Sequence, residues 1–163
     1  MYILYCSENG TTKRYAELLS EATGLPCKGD PREVPVGERV IFFGWVKAGK
    51  IMGYRYAFSH FDLQAVIAVG LAPTGTQERQ LRKSNNLRDT MKLFTLQGGY
   101  APEKLSGMNK TVMKLVTGTL LKKLRRNPNP TPAELDLIDL MEKGGDRVSK
   151  ENMDAVMKWY FRT

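Results

Sequence analysis

A short polar segment, Ser7-Glu8-Asn9-Gly10-Thr11-Thr12, follows the first apolar run of the chain and precedes residues with helical periodicity. A phosphate bound there would meet unpaired backbone N–H groups at a helix start and the positive end of the helix dipole. The hydroxyls of Ser7, Thr11 and Thr12 would add donors, and Gly10 would let the backbone approach closely. Ser, Asn and Thr are also the residues that helix caps prefer, so a cap with a tight turn is the competing interpretation.

Trp45, in the loop predicted over residues 44–50 between a strand and a helix, is suited to stacking on a flat ring. A Trp next to an apolar strand is equally well explained as a core residue. Lys47 or Lys50 near such a ring would stabilise a reduced, anionic form of it by charge, whereas an ordinary loop lysine is simply solvated.

Segments 70–76 and 97–100 are rich in glycine, as expected where a flat ligand lies across one edge of a sheet. Tyr100 is a second candidate for stacking. Ordinary strand-to-helix turns explain the same glycines equally well.

The remaining polar residues do not form a recognisable catalytic or metal site. His60 is the only histidine and has no carboxylate or serine at a catalytic spacing. Cys6 and Cys27 form no CxxC pair, which argues against a zinc site and against a secreted disulfide framework. Three acidic residues interpreted as a solvated helix face are Asp136, Asp139 and Glu142.

Apolar runs of four to seven residues, bounded by glycine, proline or polar residues, predict strands. The apolar residues of these runs follow one another and do not alternate with polar ones. Continuous apolar strands are typical of a parallel sheet covered on both faces. The predicted strands are Tyr2 to Cys6, a weak edge strand Pro26 to Gly29, Val40 to Phe43, Ala65 to Leu71 and Leu93 to Leu96.

Helical periodicity follows the strands, which predicts right-handed βαβ units and an α/β doubly wound fold. We expect helices from about residue 11, over 51–58 and over 77–90, and then three more over 106–124, 132–143 and 150–161. Thr131-Pro132-Ala133-Glu134 predicts a capping box at the start of the second of these, and Gly144 its end.

The 163 residues and a net charge of +8 predict one domain over residues 1–163. The first residues show neither a signal peptide nor a membrane span, so a cytoplasmic protein is expected. Residues 104–126 carry +7 of the net charge, with no acidic residue. Because the rest of the chain is nearly neutral and this segment lacks interleaved aromatics, nucleic-acid binding is disfavoured.

The polar segment after the first strand resembles the S/T-x-T-G-x-T phosphate loop of the flavodoxin family, with Asn9 where that pattern has Thr. This loop holds no GxxxxGK[ST] or GxGxxG motif, so a mononucleotide fits better than ATP or NAD. The resemblance implies a five-stranded parallel sheet of order 2-1-3-4-5 that binds FMN. It assigns the phosphate to Ser7, Asn9, Gly10, Thr11 and Thr12, and counts Glu8 of the same segment among the cofactor-binding residues. It assigns the ring to Trp45, Val46, Lys47, Ala48, Gly49, Gly98, Gly99 and Tyr100.

Residues 96–110 and 149–159 resemble the branch of this family that includes the quinone-dependent protoporphyrinogen oxidases. This likeness implies an extra helical segment after the fifth strand. It also implies electron transfer by FMN, or oxidation of a protoporphyrinogen-type substrate with a quinone acceptor, and needs no catalytic side chain or metal.

Residues 104–126 combine apolar residues at helical spacing with cations, a pattern suited to an anionic membrane surface. A helix packed on the domain, or a docking patch for an acidic redox partner, explains the pattern too. A flavodoxin fold that no longer binds FMN and acts as a binding or membrane-associated module is the alternative function.

Overall fold

A computed structural model describes residues 1–101 and 107–162, except for the side chains of residues 108–110, 112, 113 and 116. Part of segment 96–110, the predicted helix start at 106 and Lys104 lie outside the described residues. The described strands are β1 (Tyr2–Cys6), β2 (Cys27–Lys28), β3 (Arg39–Lys47), β4 (Lys50–Ile51), β5 (Asp62–Gly70) and β6 (Lys92–Gln97).

The strand order is β2-β1-β3-β5-β6, and all four of these pairings are parallel. The short β4 lies off this path and pairs antiparallel with the end of β3. The main sheet therefore has the predicted 2-1-3-4-5 order of a flavodoxin-like doubly wound fold. The β4 strand is an addition that the prediction missed.

The described helices are α1 (Thr11–Thr23), α2 (Tyr54–His60), α3 (Glu78–Asn85), α4 (Gly107–Arg125), α5 (Pro132–Lys143) and α6 (Asp154–Tyr160). The predicted helix over 51–58 begins later, because Ile51 belongs to β4 and Gly53 adopts a left-handed φ of 80°. The stretch 150–161 divides into a 3₁₀ turn, Glu151–Met153, and α6. The helices α4 and α5 form the predicted extra segment after the last strand.

The core lies on both faces of the sheet, as the continuous apolar strands predicted. On one face Leu4 and Phe42 pack with Tyr54 of α2 and Leu81 of α3. On the other face the neighbouring strand residues pack with α1 and α6: Ile3, Ile41, Phe43 and Ile67 contact the cluster that holds Tyr15, Leu19, Met153 and Val156. Alternate residues of one strand therefore serve opposite layers.

Beyond the last strand, α5 begins with the predicted capping box, in which Thr131 and Glu134 bond reciprocally, and ends at Gly144. Its acidic residues lie on a partly exposed face, as expected, and also form ion pairs. Asp136 and Asp139 both pair with Arg147, at 2.9 and 3.3 Å, and Glu142 pairs with Arg125 of α4. These half-exposed carboxylates join α5 to its neighbours.

Candidate functional site: a cleft at the carboxyl ends of the strands

A cleft opens at the carboxyl edge of the sheet, next to the point where the chain leaves β1 for α1 on one face and β3 for α2 on the other. This is the switch point at which doubly wound sheets bind ligands. Its empty volume is about 460 Å³, including the part open to solvent. The lining residues are Glu8, Asn9, Thr11, Trp45, Val46, Val69, Gly70, Leu71, Gly98, Gly99, Tyr100 and Ala101.

The segment between β1 and α1 folds by hydrogen bonds within itself. Gly10, with a left-handed φ of 90°, precedes the first residue of α1, and its N–H donates to Ser7 Oγ at 3.1 Å. Asn9 Oδ1 accepts from the Thr11 N–H at 3.2 Å and from the Thr11 hydroxyl at 2.8 Å. The Asn9 amide therefore caps the start of α1 from within the segment.

In the first turn of α1, two backbone N–H groups and one hydroxyl have no hydrogen-bond partner among the described residues. The N–H groups of Thr12 and Lys13 have no hydrogen-bond partner among the described residues, as expected for a helix N-terminus. The Thr12 side chain is fully buried, and its Oγ1 has no partner in the described part of the chain. A buried hydroxyl without a partner costs stability, so a ligand oxygen here would relieve an existing penalty.

One wall of the cleft is a β-hairpin rather than the predicted strand-to-helix loop. Trp45, Val46 and Lys47 are the last residues of β3, and Ala48 and Gly49 form the turn into β4. Trp45 and Val46 line the cleft, whereas the turn does not. The Lys47 ammonium lies 5.9 Å from the centre of the Trp45 ring, a cation–π distance, so it covers one indole face.

The opposite wall, Gly98 to Ala101, is held by bonds from three directions. The Gly98 N–H donates to Gly70 O at 2.7 Å, and Asn9 Nδ2 donates to Gly99 O at 3.2 Å. Tyr100 and Gly145 exchange backbone hydrogen bonds of 2.8 Å in both directions. The Tyr100 side chain is only 7% exposed and packs in a cluster with Leu71 and Leu140.

Both glycines of this wall allow close packing against the start of α1. A Cβ on Gly98 would lie 2.9 Å from Val69 Cγ1 and 3.2 Å from Thr11 Oγ1. A Cβ on Gly99 would lie 2.9 Å from Gly145 O and 3.0 Å from Thr11 Cγ2. Any side chain here would push the wall away from α1, so the sequence needs glycine at both positions.

Charges of both signs surround the cleft. Burial raises the pKa of the Cys6 thiol, a hydrogen bond from Trp45 opposes this, and the Glu8 carboxylate raises the pKa further. Glu8, an exposed cleft residue, therefore acts electrostatically on the end of β1. On the α1 side, Arg14 forms an ion pair with Asp146, and no acidic residue lies in the first turn of α1. That turn is compatible with an anion.

The structure brings together eight of the fourteen residues that the sequence predicted for the site. Glu8, Asn9 and Thr11 line the cleft with Trp45, Val46, Gly98, Gly99 and Tyr100. Ser7, Gly10 and Thr12 lie in the adjacent polar segment and first turn, and Lys47, Ala48 and Gly49 lie along the hairpin. The sequence prediction did not include the lining residues Val69, Gly70, Leu71 and Ala101. The glycine-rich segment 70–76 had nevertheless indicated the region of Gly70 and Leu71.

No protein-family model matches this chain, and no curated protein is similar enough to count as a relative. The class rests on the fold: an α/β protein with a flavodoxin-like doubly wound sheet and a cleft at its switch point. Within the described ranges 1–101 and 107–162, no helix has the length and apolar character to cross a bilayer.

Proposed function

We propose that this protein binds FMN in the cleft and works as a redox protein that transfers electrons through the flavin. The phosphate would lie at the start of α1, and the ring between the hairpin and the Gly98–Gly99 wall. The chain resembles flavodoxins in the Ser7–Thr12 segment, and the sheet order and the position of the cleft support this assignment.

The unpartnered hydroxyl of Thr12 carries the proposal. It is buried in the first turn of α1, beside two unpartnered backbone N–H groups and next to the left-handed Gly10. A Cβ on Gly10 would meet no atom of the described residues within 4 Å, so the space beside Gly10 is open. Neutral donors at the positive end of a helix, with open space before them, fit a phosphate.

The hairpin and the glycine wall fit the ring of the same ligand. Trp45 and Val46 offer apolar surface on one side, while Val69 and Leu71 add more at the end of β5. The Lys47 cation, held near Trp45, would favour a negative charge on the ring. Bound FMN supplies one- and two-electron chemistry, and these side chains would orient it and restrict water.

Glu8 would act in the opposite sense to Lys47. Its carboxylate lies at the cleft and would disfavour added negative charge on either the phosphate or the ring. The balance between Glu8 and Lys47 would therefore set the reduction potential of the flavin, and no catalytic acid or nucleophile is required.

The resemblance to quinone-dependent protoporphyrinogen oxidases suggests a finer assignment. In it, bound FMN would supply the oxidation of a protoporphyrinogen-type substrate with a quinone as electron acceptor, or electron exchange with a redox partner protein. Helix α4 would supply the contact with that partner or with an anionic membrane, since Lys114, Lys122 and Lys123 are on its surface and Leu115 is 72% exposed. Nucleic acid is not expected as a partner, and the cytoplasm remains the expected location.

Titration of flavin-free protein with FMN, followed by quenching of flavin fluorescence, tests the proposal. Riboflavin, which lacks the phosphate, is the control. We expect FMN to bind much more tightly than riboflavin because only FMN reaches the Thr12 hydroxyl and the α1 N–H groups. Equal affinity for both would refute the phosphate site, and no binding of either would refute the flavin function.

A second candidate function, a flavodoxin-fold binding module without FMN, is favoured by Asn9. Its Oδ1 already occupies the N–H and the hydroxyl of Thr11, two donors that a phosphate would otherwise use. The same titration separates the candidates. A module without FMN would show no quenching, and bound FMN would show that the Asn9 cap and a phosphate can coexist.

A further inference from the structure

The part of the hairpin that follows Trp45 projects beyond the main sheet. Pairing of β3 with β1 ends at Gly44, and pairing with β5 ends at Trp45. From Val46 onward the strand pairs, among the described residues, with β4 alone, through Val46 with Ile51 and Lys47 with Lys50. The Met52 N–H also donates to Trp45 O at 2.9 Å, and the Ile51 side chain is buried in the core, so β4 is attached to the domain near its end. Two pairs alone make a marginal hairpin, and contacts with α3 add to its stability.

One amide at the end of α3 contacts both the turn and β4. Asn85 Oδ1 accepts from the Ile51 N–H at 2.9 Å, and Asn85 Nδ2 donates to Gly49 O at 3.0 Å. The same Nδ2 donates to Leu81 O of α3 at 2.9 Å, which fixes the orientation of the amide. The turn and β4 are therefore tied to one half-buried side chain of α3, with an added contact from Lys50 to Ser84 O.

The turn between the two strands contains a residue that is unfavourable in its backbone conformation. Ala48 has φ 47° and Gly49 has φ 78°, both left-handed, as a two-residue type I′ turn requires. Alanine is disfavoured in this conformation, by about 1–2 kcal/mol, whereas Asn at the same position is well tolerated. The hairpin thus keeps a strained residue at its tip and depends on contacts outside itself.

We propose that Asn85 is a positioning residue: by holding Gly49 and Ile51 it keeps β4 against the end of β3, where Trp45 and Val46 form one wall of the flavin ring site. The proposal rests on the proposed function and assigns the ring wall a separate anchor from the phosphate site. Asn85 is not among the residues that line the cleft, so it acts only through the hairpin. Its loss should therefore weaken ring binding without changing what the phosphate contributes.

The test compares Asn85→Leu with wild type and with Gln80→Ala, an exposed residue of the same helix. The chain has two tryptophans, Trp45 and Trp159. The reference protein and every variant therefore carry Trp159→Phe, so that the tryptophan emission comes from Trp45. We expect the dissociation constants of FMN and riboflavin to rise together by roughly 5- to 30-fold, the value of one or two hydrogen bonds. Their ratio should stay constant, and Trp45 emission of the flavin-free protein should shift to longer wavelength.

A second variant separates positioning from general damage to the fold. Adding Ala48→Asn to Asn85→Leu creates an Asn-Gly turn, the preferred pair for this hairpin, and should restore part of the flavin affinity. If wild type binds neither flavin, the proposed function fails and this proposal fails with it. If wild type binds but Asn85→Leu has unchanged constants, or Ala48→Asn restores nothing, only the role of Asn85 is refuted.

Discussion

Replacing Thr12 by valine should stabilise the flavin-free protein and weaken its binding of FMN. Valine has almost the shape of threonine but lacks the hydroxyl, and the Thr12 hydroxyl is buried without a partner in the described residues. An unsatisfied buried polar group costs about 1–3 kcal/mol. Thr12→Val should therefore raise the free energy of unfolding by about 1 kcal/mol, or the Tm by about 2–4 °C for a chain of this size.

The affinity should change in the opposite direction. A hydrogen bond to a charged group is worth about 1.5–3 kcal/mol, so its loss should weaken FMN binding about 10- to 150-fold. Riboflavin, without the phosphate, should bind Thr12→Val as it binds wild type. Thermal unfolding of the flavin-free proteins and fluorescence titration with both flavins measure the two effects.

Thr95→Val is the matched control, because Thr95 is also buried but its hydroxyl donates to Thr76 O at 2.6 Å. This variant should lose about 1 kcal/mol of stability, since it breaks a satisfied hydrogen bond. Its affinity for FMN should not change. A Thr12→Val variant that is destabilised like Thr95→Val and still binds FMN as tightly as wild type would refute the Thr12 hydroxyl as an unpartnered donor to the phosphate.

Three other changes have defined outcomes. Gly10→Ala and Gly24→Ala should each lose about 1–2 kcal/mol of stability, because both glycines have a left-handed φ and open space at the Cβ position. Titration should show weaker FMN binding for Gly10→Ala but not for Gly24→Ala. Equal affinities of the two variants for FMN would contradict the phosphate site. Glu8→Gln should tighten FMN binding a few-fold at low salt and less at high salt, and an unchanged affinity at low salt would show that Glu8 does not act on the ligand. Burial, with Glu17 as a smaller cause, raises the pKa of Cys27 to about 11. The rate of its alkylation by iodoacetamide should therefore keep rising with pH up to about that value, and a rate that levels off near pH 8.5 would contradict the burial.

The sequence predicted the main sheet and the edge at which the cleft lies, because both follow from local patterns. Continuous apolar runs fixed the strands, and the polar segment after β1 indicated a ligand site at the helix start. The hairpin was missed since Trp45 to Lys50 was interpreted as a loop. Two apolar residues, Val46 and Ile51, flanking a short turn that ends in glycine were the available signal.

Contacts between distant segments could not be predicted. Asn9 bonds to Gly99, 90 residues away, and Asn85 bonds to a turn 36 residues before it. Whether the Thr12 hydroxyl has a hydrogen-bond partner also depends on which residues pack around it in the fold. The spacing of residues in the sequence does not contain this information. The polar atoms that decide the candidate site were therefore visible as residue types, but their hydrogen bonds required the fold.

Two-dimensional ¹H–¹⁵N NMR of the protein during titration with FMN tests the central claim most directly. The amide signals of Thr12 and Lys13 should shift strongly with FMN and little with riboflavin, because these N–H groups have no partner among the described residues and would bond to the phosphate. Flavin binding that leaves both amides unchanged would contradict the account and place the phosphate away from α1.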